Sequence, residues 1–199
     1  MLVRTVRSVR RRTARDRQCR SCPTRSSGFR AVGSGTDPAR MVREFDTVSV
    51  CLSKGLGAPV GSVLVGDYET ISESHRWRKM LGGGMRQSGI LAAAGLYAME
   101  NNIERLSEDH SRARRLAEAL SEMTNFSVDL GSVQSNMVYV DCLEVGAKEM
   151  RDRLAKRGID VLDETDSVIR AVVHLHITES DVDRAIDAFE ASQYSASVQ

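Results

Sequence analysis

The sequence predicts an α/β chain with a larger first region and a small C-terminal α/β subdomain. Three observations predict it. Apolar, β-branched runs of strand length alternate with helix-periodic segments from about residue 45 to residue 190. After Asn125 the texture changes from long helices to short alternating elements. The first forty residues differ in composition from everything that follows. The organisation expected is a basic leader over 1–38, a first region over 39–124, a subdomain over 125–192 and a tail over 193–199.

The elements follow in order. FDTVSVCL, Phe45 to Leu52, reads as a buried strand, and VGSVLVG, Val60 to Gly66, as a second one. Tyr68 to Leu81 has helical character and is ended by Gly82-Gly83-Gly84. A small-residue helix from about Gln87 to Asn101 contains the longest apolar run, Gly89 to Met99, which reads as a buried core helix. The clearest helix carries Ile103, Leu106, His110, Ala113, Leu116, Ala117, Leu120 and Met123 at steps of three and four, with Glu108 and Arg112 paired four apart on its exposed side. It is expected to link the two regions. Asn136 to Asp141 reads as a strand, Ala147 to Arg157 as a helix stopped by Gly158, and Ile159–Leu162 and Val168–Ile177 as strands. Within the last of these, His174 and His176 should point to opposite faces. Thr178 to Asp181 is a capping-box start, and Val182, Ala185, Ile186 and Phe189 form the last helix's apolar face. His75 and His110 are expected at helix surfaces or interfaces.

Composition narrows the function classes. Of the 199 residues, 41% are hydrophobic and 28% charged, with a formal net charge of +1. That balance hides eleven arginines against two acids, Asp16 and Asp37, in the first forty residues. This leader cannot bury enough apolar surface to fold alone and is expected to be disordered. It matches a mitochondrial transit peptide, a nucleic-acid-binding arm or a stretch without function. Aromatic interleaving is lacking before Phe45 apart from Phe29, so no nucleic-acid role is assigned. No apolar run approaches the ~20 residues of a membrane-spanning helix. Cys51 and Cys142 lie in apolar runs, where free thiols act as small hydrophobes. Cys19 and Cys22 form one C-x-x-C without a second ligand pair, so no metal site is expected.

The run SKGLGAPVGS, Ser53 to Ser62, carries the chemistry. A Walker A loop places its lysine after the glycines, whereas Lys54 precedes them. A dinucleotide fingerprint needs G-x-G-x-x-G, and here Gly55-x-Gly57 is followed by Gly61, one residue too far. The remaining functional reading is a lysine that forms a Schiff base, which needs a partly desolvated amine among small neighbours. The alternative is a surface lysine at a strand end.

The run VSVCLSKGLGAPVGSVLVG, followed by RWRKMLGGGMRQSGILAAAGLYAMENNIERLSEDH, closely resembles the low-specificity L-threonine aldolases over about residues 39 to 190. The resemblance implies a pyridoxal-phosphate enzyme of the fold-type-I, aspartate-aminotransferase-like class. Residues 39–124 would then be part of its large domain and 125–192 its small subdomain. It implies that Lys54 is the Schiff-base lysine, with Ser53 beside it at the cofactor. It implies that Lys79 and Arg86, the latter in GGGMRQ, lie near a cofactor phosphate of a neighbouring subunit. Arg170, in VIRAVVHLHIT, would grip the substrate carboxylate. The activity implied is retro-aldol cleavage of a β-hydroxy-α-amino acid, L-threonine or L-allo-threonine, to glycine and acetaldehyde. A homo-oligomer, a tetramer in the family, and a place in threonine catabolism and glycine biosynthesis are implied with it. The expected location is cytoplasmic, or mitochondrial if the leader is a transit peptide.

Residues 1–38 do not resemble the upstream part of such enzymes, which supplies the phosphate loop, the ring-stacking histidine, the ring-nitrogen aspartate and a second carboxylate-binding arginine. The expectation is therefore a C-terminal portion of a threonine aldolase behind an unrelated leader. The alternative to an enzyme is a truncated, non-catalytic fragment or pseudoenzyme of that family.

Overall fold

In the computed structural model, residues 21–24 and 32–193 are described. The chain divides into two compact units, residues 1–106 and 107–199.

In the first unit the two apolar, β-branched runs, β2 and β3, join a leader strand, β1, in a sheet of order β1-β2-β3. Strand β1 (Ser21–Thr24) runs parallel to β2 (Thr47–Cys51), and β3 (Ser62–Val65) runs antiparallel to β2, with Val50 opposite Val63. Helix α1 (Pro38–Val42) starts on Asp37, whose carboxylate accepts from Ala39 N. Helix α2 (Tyr68–Met80) is capped in the same way by Asp67, which accepts from Thr70 N at 2.7 Å. Gly82, with φ +82°, ends α2, and Gly83 N donates to Arg78 O at 2.8 Å. Helix α3 (Gly89–Asn101) follows.

The expectation of a disordered leader fails at Ser21–Thr24, which pair with β2 along four residues. Backbone pairing needs no apolar side chains, so the arginine-rich composition did not reveal it. Residues 1–20 and 25–31 of that leader, with Cys19, lie outside the described residues, as do 194–199 of the tail. The run Gly89–Met99 is not buried all round. Gly95 and Ala98 are buried, whereas Ile90 and Tyr97 are 79% and 64% exposed. Gly95 faces inward because the helix lies close to β2's end. A Cβ built on it would stand 3.0 Å from Leu52 Cδ1.

The second unit holds an antiparallel sheet of order β4-β5-β7-β6. Its strands are β4 (Phe126–Ser127), β5 (Met137–Cys142), β6 (Leu162–Asp163) and β7 (Val168–Val172). Side chains alternate along β5 and β7 as the two-residue period requires. Val138, Val140, Ile169 and Ala171 face the core, while Tyr139 and Val172 are 40% and 42% exposed. Helices α4 (Leu106–Ser121), α5 (Ala147–Ala155) and α6 (Glu179–Ser192) complete that core. The Phe126 and Phe189 rings meet edge to face, centroids 5.4 Å apart. Buried Asn136 clasps Val173: its side-chain Nδ2 donates to Val173 O and its backbone carbonyl accepts from Val173 N.

Four expectations change here. The periodic helix begins at Leu106, leaving Ile103 45% exposed. Its inward face of Ala113, Leu116, Ala117 and Leu120 belongs to the second unit's core, so the contact boundary falls at 106/107 and not at 124/125. The strand expected over 159–162 is β6, only two residues long. The strand expected over 168–177 ends at Val172, so His174 and His176 do not alternate across a sheet. Their rings meet edge to face at 5.7 Å in the following turn. The Glu108–Arg112 pair forms at 3.3 Å, and Arg112 also reaches Glu179 on α6 at 2.9 Å. Arg115 adds ion pairs to Glu179 and Asp183. Among the described residues no helix is long and apolar enough to cross a membrane.

Candidate active site

The glycine loop between β2 and β3 is a closed, ordered structure. Leu52 N donates to Gly61 O at 3.0 Å and joins its two ends. Ala58 N donates to Leu52 O at 3.1 Å, and Gly57 N to Lys54 O at 2.9 Å. Gly57 and Gly61 have φ of +70° and +113°, the left-handed region that glycine enters without strain. Leu52, Leu56 and Ala58 are buried with Ala98 and Leu106. Asn102 Nδ2 fixes Leu56 O at 2.7 Å. The outcome is a rigid bend anchored on both sides, with Ser53 and Lys54 on its outside.

Both Ser53 and Lys54 are exposed within this unit. That departs from the expected desolvation of Lys54. The strand ends at Cys51, and the chain turns outward before the lysine, so it is Leu52 that occupies the buried position. The sequence reading had also given Cys51 no part in the site. Its Sγ lies 3.6 Å from Ser53 Oγ. Burial acts to raise its thiol, but hydrogen bonds with Ser53 and Ser62 and the positive charge of Lys54 outweigh this and bring it below the usual thiol range. The C-x-S-K run at the strand end, Cys51 to Lys54, was the available signal.

Lys79 and Arg86 flank the triple-glycine turn of the same unit, and both are exposed. The turn folds back onto α2. A Cβ on Gly84 would stand 2.7 Å from Lys79 Cδ and 3.2 Å from its Nζ, so the lysine stem lies across a glycine that leaves room for it. Gln87, with φ +48°, turns the chain into α3. The N-cap of α3, Ser88, makes no side-chain cap bond. Two cations thus stand beside a tight turn, an arrangement suited to a phosphate.

Arg170 lies in the second unit, in the middle of β7 and on the face of the sheet turned away from the core. Tyr139 on β5 and Leu162 on β6 stand directly opposite it in register. Its Nη1 is 3.1 Å from Glu164 Oε2. Its Nε is buried and has no hydrogen-bond partner among the described residues. The sequence reading missed Glu164, whose proximity depends on the tight β6–β7 turn. No group of three or more His, Cys, Asp or Glu suited to a metal ion occurs among the described residues.

Comparison with known proteins identifies the chain's relatives. The sequence model of the beta-eliminating lyase family matches residues 22–143, which span the glycine loop, Lys79 and Arg86. The match begins inside the expected leader and takes in most of β1, so an unrelated leader extends no further than residue 21. Low-specificity L-threonine aldolase 1 of Arabidopsis thaliana is 42% identical over 164 residues, which are 80% of this chain and 46% of that protein. Low specificity L-threonine aldolase of Escherichia coli K12 is 44% identical over 147 residues, 74% of this chain and 43% of that protein. The chain thus spans somewhat less than half the length of these relatives. Among solved structures, a Listeria monocytogenes protein provisionally described as an L-allo-threonine aldolase superposes with a TM-score of 0.73 at 20% identity, covering 86% of this chain and 51% of that one. The cysteine desulfurase CsdA of Escherichia coli superposes with 0.60, also at 20% identity, covering 83% of this chain and 50% of its own. These likenesses establish the α/β fold of pyridoxal-phosphate aldolases and transferases, and pyridoxal phosphate is the cofactor of the family. With more than half its length matched by the family's sequence model, including the loop that carries Lys54, the chain belongs to the beta-eliminating lyase family.

Proposed function

We propose that the chain acts in pyridoxal-phosphate-dependent retro-aldol cleavage of L-threonine or L-allo-threonine to glycine and acetaldehyde, as a carbon–carbon lyase. The observation that carries this reading is Lys54 held outward on a closed loop, in a segment shared with aldolases at 42–44% identity. The residues present fit the cofactor's chemistry. Lys54 Nζ is an accessible primary amine for its carbonyl carbon, the Ser53 hydroxyl stands beside it, and Lys79 and Arg86 offer two cations on one turn for its phosphate.

Bound there, pyridoxal phosphate would supply an electron sink for the charge left at Cα when the Cα–Cβ bond breaks. The remaining work falls to the chain. Lys54 Nζ would hold the cofactor through its carbonyl carbon. Arg170 takes the substrate carboxylate with paired N–H donors, which fixes the orientation of the amino acid. The assembly proposed is a homo-oligomer, a tetramer as implied by the family resemblance. Lys79 and Arg86 would then serve a neighbouring subunit's cofactor. A cytoplasmic or mitochondrial place in threonine catabolism and glycine formation accompanies this reading.

Borohydride reduction of the chain with pyridoxal phosphate, followed by peptide mass spectrometry, tests it. The expected product is a pyridoxyl group on Lys54, lost in Lys54→Ala. Labelling confined to another lysine would refute the site. The exposure of Lys54 favours a second reading, a non-catalytic member of the family. Labelling at Lys54 without glycine formation from L-threonine would select it.

A further inference from the structure

The Arg170 guanidinium already holds a carboxylate belonging to this chain. β7 sets Arg170 on the outward face of the sheet, directly between Tyr139 and Leu162. Glu164 follows β6, and the tight turn fixes its backbone. Glu164 N donates to Val168 O at 2.9 Å, Thr165 N donates to the same oxygen at 3.2 Å, and Thr165 Oγ1 accepts from Val168 N at 3.0 Å. The antiparallel register puts Glu164 opposite Val168, two residues from Arg170 on the same face, the diagonal at which long side chains reach each other. The ion pair closes at 3.1 Å, with the arginine side chain 27% and the glutamate side chain 43% exposed. The buried Nε remains without a partner among the described residues, so Glu164 satisfies the guanidinium only in part.

A partly hydrated pair of this kind is weak and displaceable, because water and screening offset most of its attraction. An incoming carboxylate that offers two oxygens can engage both Nη groups together, whereas Glu164 pairs with Nη1. The same carboxylate meets the negative charge of Glu164 as it arrives.

We propose that Glu164 is a resident carboxylate on Arg170: it holds the guanidinium in position between ligands and sets the affinity for the substrate carboxylate by competing with it. The inference rests on the reading of Arg170 as the carboxylate site. Glu164 is a positioning residue, acting through Arg170, and its effect belongs to binding and not to bond cleavage.

The test titrates L-threonine into the full chain loaded with pyridoxal phosphate and follows the Arg170 Nε–Hε resonance by NMR. Glu164→Gln keeps an oxygen acceptor for Arg170 but removes the charge. It should lower the dissociation constant by about fivefold, the factor equivalent to about 1 kcal/mol, the upper end for an exposed pair. KM for L-threonine should fall by a similar factor with kcat little changed. Glu164→Asp, which restores the charge, should return towards the wild-type value. Arg170→Gln, followed by calorimetry, should lose binding. Unchanged affinity in Glu164→Gln alongside lost binding in Arg170→Gln overturns the role of Glu164 and leaves the carboxylate site standing. Wild-type affinity in Arg170→Gln overturns the carboxylate site, and the inference with it.

Discussion

Gly95→Ala probes the packing that holds the Lys54 loop in place. The added Cβ would stand 3.0 Å from Leu52 Cδ1, tighter than ordinary van der Waals contact. Leu52 is 7% exposed, and its backbone joins the loop at two points, to Gly61 O and from Ala58 N. Two effects oppose each other. Replacing glycine in a helix interior gains up to ~1 kcal/mol in propensity. Overpacking a buried contact costs roughly 1–3 kcal/mol when the neighbour must leave its rotamer. The methyl could rotate away in open space, but Leu52 is enclosed with Leu56, Ala58, Ala98 and Leu106. The contact term therefore wins, and a net destabilisation of about 1 kcal/mol is expected, a fall in Tm of roughly 4–8 °C for a domain of this size. Gly89→Ala on the same helix is the control, since its Cβ meets nothing within 4 Å. It should be neutral or stabilise by up to ~1 kcal/mol. Urea unfolding of both variants with unchanged m-values supplies the comparison. If Gly95→Ala stabilises as much as Gly89→Ala, Leu52 yields freely and the loop is not held by this contact.

Two further predictions concern the termini of elements and the thiols. Thr178→Ala removes a capping box in which Thr178 Oγ1 accepts from Asp181 N while Asp181 accepts from Thr178 N, and should cost ~1 kcal/mol by thermal unfolding. The hydrogen bond from Thr178 Oγ1, the Thr178 backbone bond and the Arg184 charge hold the Asp181 carboxyl below its usual range. Its stabilising contribution is therefore complete above the ordinary carboxylate pKa and disappears as pH falls through the lowered value, and Thr178→Ala should flatten that acid limb. For the thiols, burial and then Asp141 push Cys142 up to about 11, while Cys51 is lowered. Iodoacetamide at pH 8 should therefore modify Cys51 well before Cys142, as read by peptide mass spectrometry. Lys54→Ala or cofactor loading should slow Cys51 by removing the neighbouring charge; equal rates would show that Lys54 exerts no field there.

Periodicity recovered the long elements because burial follows side-chain spacing. The helix over 106–121, the strand over 137–142 and the capped helix after Thr178 were all legible, since each shows an apolar face to one core. What failed was whatever depends on backbone pairing or on partners distant in sequence. β1 carries no apolar pattern, and its pairing in register with β2 is a matter of backbone bonds that side-chain spacing does not announce. β4 and β6 are two residues long, too short for any period to register. The contact boundary at 106/107 was missed because a helix's apolar stripe shows that it is buried, not which core buries it.

The candidate site divides along the same line. SKGLGAP was legible because its chemistry lies in one short run, and the fold turns that run into a closed loop through bonds between its own ends. The exposure of Lys54 was not legible, because strand hydrophobicity extends to Leu52 and the bend turns from buried to exposed at the very next residue. Cys51 and Glu164 were passed over for a related reason. Each acquires its significance from another side chain, Lys54 in one case and Arg170 in the other, and neither type is rare enough in sequence to attract notice. A glutamate six residues before an arginine is unremarkable until a turn closing on Val168 folds the two strands together. Partners that modulate a site are therefore hidden from sequence reading even where the groups that define its chemistry are plain, and pairing geometry is what reveals them.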